Sequence, residues 1–359
     1  MLRDLAVGLK GYGRGGGEFL PAVVSLKTLP PTGQGVVEEL KAADVEVWSL
    51  ELGSVMQLVH GVQQLRKVIQ TFAPEVVISI LVHANALTTF AMMLPPRSPA
   101  RLVQSIHTLQ EKPAWHWTLT RFIARYADAL VVPSQTILDK IRQKQTKVLQ
   151  NGIDVMRFAE AKGFEKLPWP AGAKVVGYVG RFDRVKNLPL LLRGFSRMAK
   201  KNENNITHLA LVGYGPEEKR LKKMAAELRI QDRVHFPGPT QEPERWYKSF
   251  ACHCLPSTSE GFGLTLAESI AAGVPVVAVR MPVTEAIVRH GLDGLLIDRP
   301  DENLLAEALQ KVTHENKSPP LSPTLTPKST ETACEYVRQH FSVEHMVEQY
   351  AKFLKNFRR

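Results

Sequence analysis

Apolar residues along the chain gather in short runs that alternate with longer stretches of 3.6-residue spacing. Runs at residues 21–26, 45–50, 76–81, 101–106, 129–132 and 147–149 read as strands, with helical patterns between them. From residue 174 the alternation restarts, with runs at 175–179, 208–212, 234–236, 251–255, 274–279 and 294–297. Strand–helix alternation of this kind predicts an α/β chain built on two parallel sheets, each sandwiched by helices. The longest apolar stretch, residues 76–94, is broken by His83 and Asn85 and followed by Pro95 and Pro96, so it reads as strand plus helix, not as a membrane span.

Residues 161–172, AKGFEKLPWPAG, follow neither period and are rich in Pro, Gly and charge, which marks a linker and a hinge. The expected division is therefore an N-terminal domain over 1–160, a linker over 161–172, a C-terminal domain over 173–330, and a helical region over 331–359 that packs back toward the N-terminal domain. The stretch 314–330, HENKSPPLSPTLTPKST, carries four prolines among polar residues and is expected as a surface loop or a locally disordered segment.

With 359 residues and 44% hydrophobic content the chain is long enough to bury the cores of two domains. Its 46 Lys and Arg against 35 Asp and Glu leave +11, a balance that suits anionic partners without choosing among them. The basic residues form no single block and accompany no recognition motif, so nucleic acid is not an expected partner. Three cysteines cannot all pair internally, which fits a reducing cytoplasm. Cys252, His253 and Cys254 suggest a metal only superficially: they sit in an apolar strand whose alternate residues point to opposite faces. The opening MLRDLAVGLK mixes charge and apolar groups at helical spacing and does not read as a signal peptide.

The densest chemical signal is STSEGFGLTLAESIAA at 257–272, directly after the apolar run ACHCLP. A strand ends, a glycine turn follows, and a helix begins near Gly263 or Leu264. Gly261 and Gly263 let a ligand approach the backbone, and the helix start offers unpaired amides and a positive dipole end to an anion. Glu260 on the loop and Glu268 about a turn into the helix are separated by a rise of roughly 6–8 Å, enough to clasp a ligand at two points. As sequence alone, a solvated loop glutamate and a salt-bridged helix glutamate explain the pair equally well.

A second segment, VVGYVGRFDRVKN at 175–187, is a strand ending in Gly180, then Arg181, then Lys186 at the start of a new helix. Ligands of open α/β sheets sit at the carboxyl edge of the strands, so Arg181 and Lys186 are expected to converge on the anion held by the 261–264 turn. Fixed cations there stabilise a diphosphate leaving group without a metal.

With these segments in view the sequence resembles glycosyltransferase family 4 over nearly its whole length. The resemblance rests on Gly180-Arg181 with Lys186-Asn187, on the Glu-x7-Glu segment SEGFGLTLAES, on the strand followed by Gly-x-Gly-Pro in LALVGYGPEEKRL, and on NGID at 151–154 with ADALVVPSQ before it. It implies the GT-B fold, two Rossmann-like doubly wound domains facing a cleft, and metal-independent hexosyl transfer with retention of anomeric configuration. The donor would be a UDP- or GDP-sugar, with no further cofactor, and the acceptor a glycan, a lipid-linked molecule or a small molecule. Arg181 and Lys186 would contact the diphosphate, Glu268 the ribose hydroxyls and Glu260 the transferred sugar. Gly180, Gly261, Thr265 and the backbone amides of Phe262, Gly263 and Leu264 would complete the donor site. The nucleobase would lie near residues 233–238. His107, after a strand in the N-terminal half, would face the cleft as the catalytic histidine, with His83 and His116 as competitors. No Asp-x-Asp motif stands where a metal site would need one.

The sequence departs from that family at its start. Family members open with a strand and a Gly-Gly loop before a helix that reads like MLRDLAVGLK, and the absent strand is central to their first sheet. The run GYGRGGG at 11–17 contains Gly-x-Gly-x-x-Gly, but it follows a helix and so reads as a flexible loop. Rival functions are a catalytically silent nucleotide-sugar-binding protein and a sugar-nucleotide epimerase, which would require further acid/base groups in the N-terminal half. The net charge and the tail residues Lys352, Lys355, Arg358 and Arg359 add an expectation of peripheral attachment to the inner face of a membrane.

Overall fold

The computed structural model describes residues 1–13, 18–29, 35–53, 57–107, 114–141, 145–201, 207–314 and 327–358. Residues 14–17 of the glycine loop and 315–326 of the proline-rich stretch lie outside them, as do Arg359 and the side chains of His116 and Arg358. The chain forms two compact units, Met1–Gly152 with Val343–Arg359, and Ile153–Ser342.

In the first unit the order is α1 (Leu2–Lys10), β1 (Ala22–Ser25), α2 (Val36–Ala42), β2 (Glu46–Ser49), α3 (Leu58–Phe72), β3 (Val76–Ile80), α4 (Val82–Met93), β4 (Arg101–Ser105), α5 (Ala114–Ile123), β5 (Ala129–Val132), α6 (Gln135–Ile141) and β6 (Thr146–Val148). The second unit continues with α7 (Val155–Ala159), β7 (Lys174–Val179), α8 (Leu188–Lys201), β8 (Thr207–Val212), α9 (Glu218–Glu227), β9 (Val234–Gly238), α10 (Pro243–Tyr247), β10 (Cys252–Leu255), α11 (Leu264–Ala271), β11 (Val276–Val279), α12 (Pro282–Glu285), β12 (Gly294–Ile297), α13 (Glu302–His314) and α14 (Pro327–Phe341). The last helix, α15 (Val343–Arg358), belongs to the first unit, where Met346, Tyr350 and Leu354 share a core with Leu5, Leu9 and Val131.

The second unit holds a six-stranded parallel sheet in the order β12-β11-β10-β7-β8-β9. Strands β8, β10 and β11 are buried at every residue, as apolar runs covered by helices on both faces should be. Cys252, His253 and Cys254 are core residues of β10, and burial pushes the His253 imidazole down to about 3 and both thiols up.

The division of the chain differs from the one expected. Residues 161–172 carry neither helix nor strand, yet they belong to the second unit. Trp169 is buried against His235 and Trp246, and Phe164 packs on Trp246 beneath the Arg245 guanidinium. α7 falls on the same side, because Val155 and Phe158 enter the second core. The region 331–359 is split, with α14 in the second unit and α15 in the first. Residues 327–330, expected in the loop, are the first turn of α14, where proline at the first position suits a helix.

Among the described residues the first unit has not one sheet but two: β1-β2, and β3-β4-β5-β6, all parallel. Among the described residues nothing pairs with the second edge of β1 or of β3. Both edges border one apolar cavity of about 540 Å³, whose walls include Leu5, Val23, Leu65, Val77 and Leu354. A two-stranded sheet standing alone is marginal in water. Amides of β1 and β2 should therefore exchange with solvent roughly 100-fold faster than those of β7 and β8. Equal protection in hydrogen-exchange mass spectrometry would mean that the β1 edge is covered in solution.

Candidate functional site

β7 and β10 are neighbours in register, yet the chain moves outward from β7 to β8 and β9 on one side and through β10, β11 and β12 on the other. The strand order reverses at this pair, which opens a crevice at the carboxyl ends of the two strands. Two loops leave that edge, one following Val179 and one following Leu255, and they are tied together: the Thr258 amide donates to the Val185 carbonyl at 2.8 Å.

At this tie the Lys186 ammonium donates to Glu260 Oε1 at 2.6 Å, and the Ser257 hydroxyl donates to the same oxygen at 2.6 Å. Glu260 is thus a buried carboxylate gripped at one oxygen, not a solvated loop residue. Gly263 adopts φ 83°, a left-handed conformation that glycine reaches without cost. It caps α11 with no side-chain bond; the Leu266 amide donates to the Gly263 carbonyl at 2.9 Å, and the amides of Leu264 and Thr265 precede the first intrahelical acceptor. Residues 261–264 thus form a glycine turn that leads directly into the start of α11. Phe262 anchors the turn from below, buried edge-on against Phe341 at 5.9 Å, and Thr265 stands half-buried in the first turn.

Arg181 takes a different partner. Its Nε lies 2.9 Å from Asp183, and the side chain is 64% exposed, so the two cations are unequally fixed: Lys186 is held and Arg181 is largely in solvent. The Arg181 backbone is nonetheless pinned, because the buried Tyr178 hydroxyl donates to its carbonyl at 2.8 Å. Glu268 is half-buried on α11 and accepts from the Tyr247 hydroxyl at 2.8 Å. Burial pushes its carboxyl above the ordinary range, with the Tyr247 bond working against that shift.

His107 belongs to the first unit. It follows β4, with the Ser105 hydroxyl 2.8 Å from Nε2 and the Asn151 side-chain amide 3.4 Å from Nδ1, so the NGID segment and the strand-end histidine meet across 44 residues. Burial pushes the imidazole down to about 4. The folded ring therefore stays neutral between pH 4 and 6.5, where an unfolded histidine takes up a proton, and stability present above pH 6.5 is lost as pH falls. At pH 5 the loss from this residue is about 2 kcal/mol. A His107→Gln variant should show a smaller fall in Tm between pH 7.5 and pH 5 than the parent chain; parallel melting curves would show that His107 titrates as it does in the unfolded chain. The competing His83 is exposed on α4.

Sequence reasoning did not single out Ser257, Tyr247 or Tyr178. Ser257 and Tyr178 carried a usable signal, standing three residues before Glu260 and before Arg181 in the two segments, whereas Tyr247 reaches the site only through the tertiary fold. Of the basic tail, Lys352 pairs with Glu348 and Lys355 with Glu18, so half of that charge is locally compensated.

Two family models match the chain in succession: Glycosyltransferase Family 4 over residues 38–157 and Glycosyl transferases group 1 over residues 160–320. Among curated proteins, a D-inositol 3-phosphate glycosyltransferase of Corynebacterium urealyticum is 30% identical over 210 residues, which is 53% of this chain and 49% of that protein. The lipopolysaccharide core biosynthesis glycosyltransferase LpsE of Rhizobium meliloti is 26% identical over 234 residues, 64% of this chain and 65% of its own. The chain thus spans about half the length of the first of these relatives. Among solved structures, sucrose-phosphate synthase from Thermosynechococcus elongatus aligns with TM-score 0.81 at 20% identity, covering 99% of this chain and 92% of that one. Anabaena HepE in complex with UDP and glucose aligns with TM-score 0.74 at 18% identity, covering 94% and 100%. The two models tile both units, the sheets follow the same architecture as the solved enzymes, and the chain belongs to the family 4-like glycosyltransferases of the GT-B fold.

Proposed function

We propose that the chain transfers a hexosyl group, with retention of configuration, from a UDP- or GDP-sugar to a glycan, lipid-linked or small acceptor. The observation that carries this reading is the junction at the carboxyl edge of the second sheet. There Lys186, Glu260 and Ser257 converge on the loop that leads into α11, a helix start with no side-chain cap. An anion entering that edge meets first-turn amides, the α11 dipole and the Lys186 ammonium together, which is what a diphosphate leaving group requires. Arg181 is free to swing from Asp183 to a second phosphate, and Glu260 retains an oxygen to accept hydroxyls of the transferred sugar. The protein then supplies orientation and charge stabilisation, and the departing phosphate assists deprotonation of the acceptor.

UDP-bound HepE shares the fold, and the curated relatives act on an inositol phosphate and on lipopolysaccharide core, which supports a nucleotide-sugar donor and a polyhydroxylated acceptor. Among the described residues no helix is long and apolar enough to cross a membrane. Incubating the chain with radiolabelled UDP- and GDP-sugars tests the reading: label should pass to an acceptor or to water, and proton NMR of the product should show the donor's anomeric configuration. Donor binding without turnover across acceptors would favour a silent binding protein, and inversion would refute the retaining chemistry.

A further inference from the structure

The two carboxylates of the site are each held at one oxygen. Lys186 and Ser257 both bond Glu260 at Oε1, and Tyr247 bonds Glu268 at Oε2. Among the described residues no bond occupies the remaining oxygen of Glu268. Tyr247 ends the short helix α10 and is fully buried, its ring packed edge-on against Phe158, Phe250 and His253 at 5.9, 6.2 and 5.3 Å. Phenylalanine would fill that aromatic pocket equally well. What tyrosine adds is one donor, and here that donor has one acceptor, the Glu268 carboxylate. The rigid aromatic cage fixes the phenol oxygen, and the phenol fixes the carboxylate plane.

We propose that Tyr247 is a positioning residue for donor recognition: it holds Glu268 by Oε2 so that Oε1 is presented to the ribose hydroxyls of a nucleotide. This rests on the nucleotide-sugar reading of the site. It assigns to Tyr247 no contact with the ligand. The tyrosine acts through the carboxylate, both by setting its orientation and by opposing the burial that disfavours its charged form.

The test is a cycle of two proteins and three ligands, measured by titration calorimetry on the full chain. The ligands are whichever of UDP and GDP binds, with its 2′-deoxy and 3′-deoxy forms; the proteins are the parent and Tyr247→Phe. Tyr247→Phe should weaken the ribonucleotide about tenfold, as loss of one hydrogen bond to a charged group does, and should leave at least one deoxy form within about twofold of the parent's value. An equal loss for all three ligands, or no loss for any, overturns the proposal, because a merely structural tyrosine would not distinguish them. Glu268→Ala separates the two levels of inference: if it leaves nucleotide affinity unchanged, the assignment of the ribose to Glu268 fails. If it weakens the ribonucleotide while the Tyr247→Phe cycle shows no discrimination, only the role of Tyr247 fails. Should Tyr247→Phe not fold, 3-fluorotyrosine at position 247 keeps the shape and sharpens the donor. The gap between ribo and deoxy ligands should then widen, and an unchanged gap counts against the proposal.

Discussion

Replacing Lys186 by methionine is expected to lower kcat by about 10²–10³-fold, the usual consequence of removing one fixed donor from a site of developing negative charge. The same change should lower stability. Glu260 has a side chain only 7% exposed, and Lys186 supplies one of its two partners, leaving Ser257 alone on Oε1. A buried charge stripped of its counter-ion costs several kcal/mol in a dry interior. Because Lys186 itself is 24% exposed, about 1–3 kcal/mol is the appropriate scale here. The double variant Lys186→Met with Glu260→Gln removes the orphaned charge, so it should melt closer to the parent while remaining as inactive as the single variant. Because Glu260 itself belongs to the donor site, the comparison is with Glu260→Gln alone: a lysine that works on the ligand leaves the double variant at least tenfold below that single variant in turnover at similar stability. If the double variant turns over as fast as Glu260→Gln, the ammonium serves the fold alone, and the diphosphate reading of this edge loses its main support.

Much of this site was legible in the linear sequence because its chemistry lies in two short segments. The glycine turn, the helix start at Leu264 and the two carboxylates stand within a dozen residues, and strand patterning placed both segments at one sheet edge. What the pattern left open was whether Glu260 is solvated; its burial comes from Lys186, 74 residues earlier in the chain. Equal roles for Arg181 and Lys186 also do not follow from type and spacing. Asp183, two residues on, captures the Arg181 guanidinium, while a left-handed turn at Asn187 follows the lysine. The boundary of the units was misplaced at 161–172 for a related reason. Proline and glycine mark irregular backbone, but Trp169 buries itself all the same, and a single aromatic anchor outweighs the flexibility that composition suggests. Neither the separation of β1-β2 from β3-β4-β5-β6 nor the cavity between β1 and β3 can be read from strand patterning, which carries no pairing order.

Gly213→Ala should destabilise the chain by about 2–3 kcal/mol and also weaken donor binding, although Gly213 contributes no side chain to the site. It follows β8, next to the loop that carries Arg181, in the Gly-x-Gly-Pro segment to which sequence reasoning assigned no role. The two loops are laced by main-chain bonds: Gly180 donates to Val212 at 3.0 Å, Phe182 to Tyr214 at 2.8 Å and Glu217 to Phe182 at 3.1 Å. At φ 138°, a Cβ on residue 213 would stand 1.9 Å from the Gly180 carbonyl oxygen, and one on Gly215 would stand 2.6 Å from the Phe182 backbone. Neither contact can be relieved by turning a side chain, since the obstructing atoms are backbone. The loop must move, and Arg181 moves with it. Gly172→Ala is the control: it has φ 78° and nothing within 4 Å of an added Cβ, so it carries conformational strain without crowding. That variant should lose about 1 kcal/mol and keep parental donor affinity. Thermal melts and nucleotide titrations on Gly213→Ala, Gly215→Ala and Gly172→Ala decide the matter. If all three lose stability alike and none loses affinity, the glycines ease the turn only, and the spacing of the Gly180 and Gly213 loops does not govern where the Arg181 cation stands.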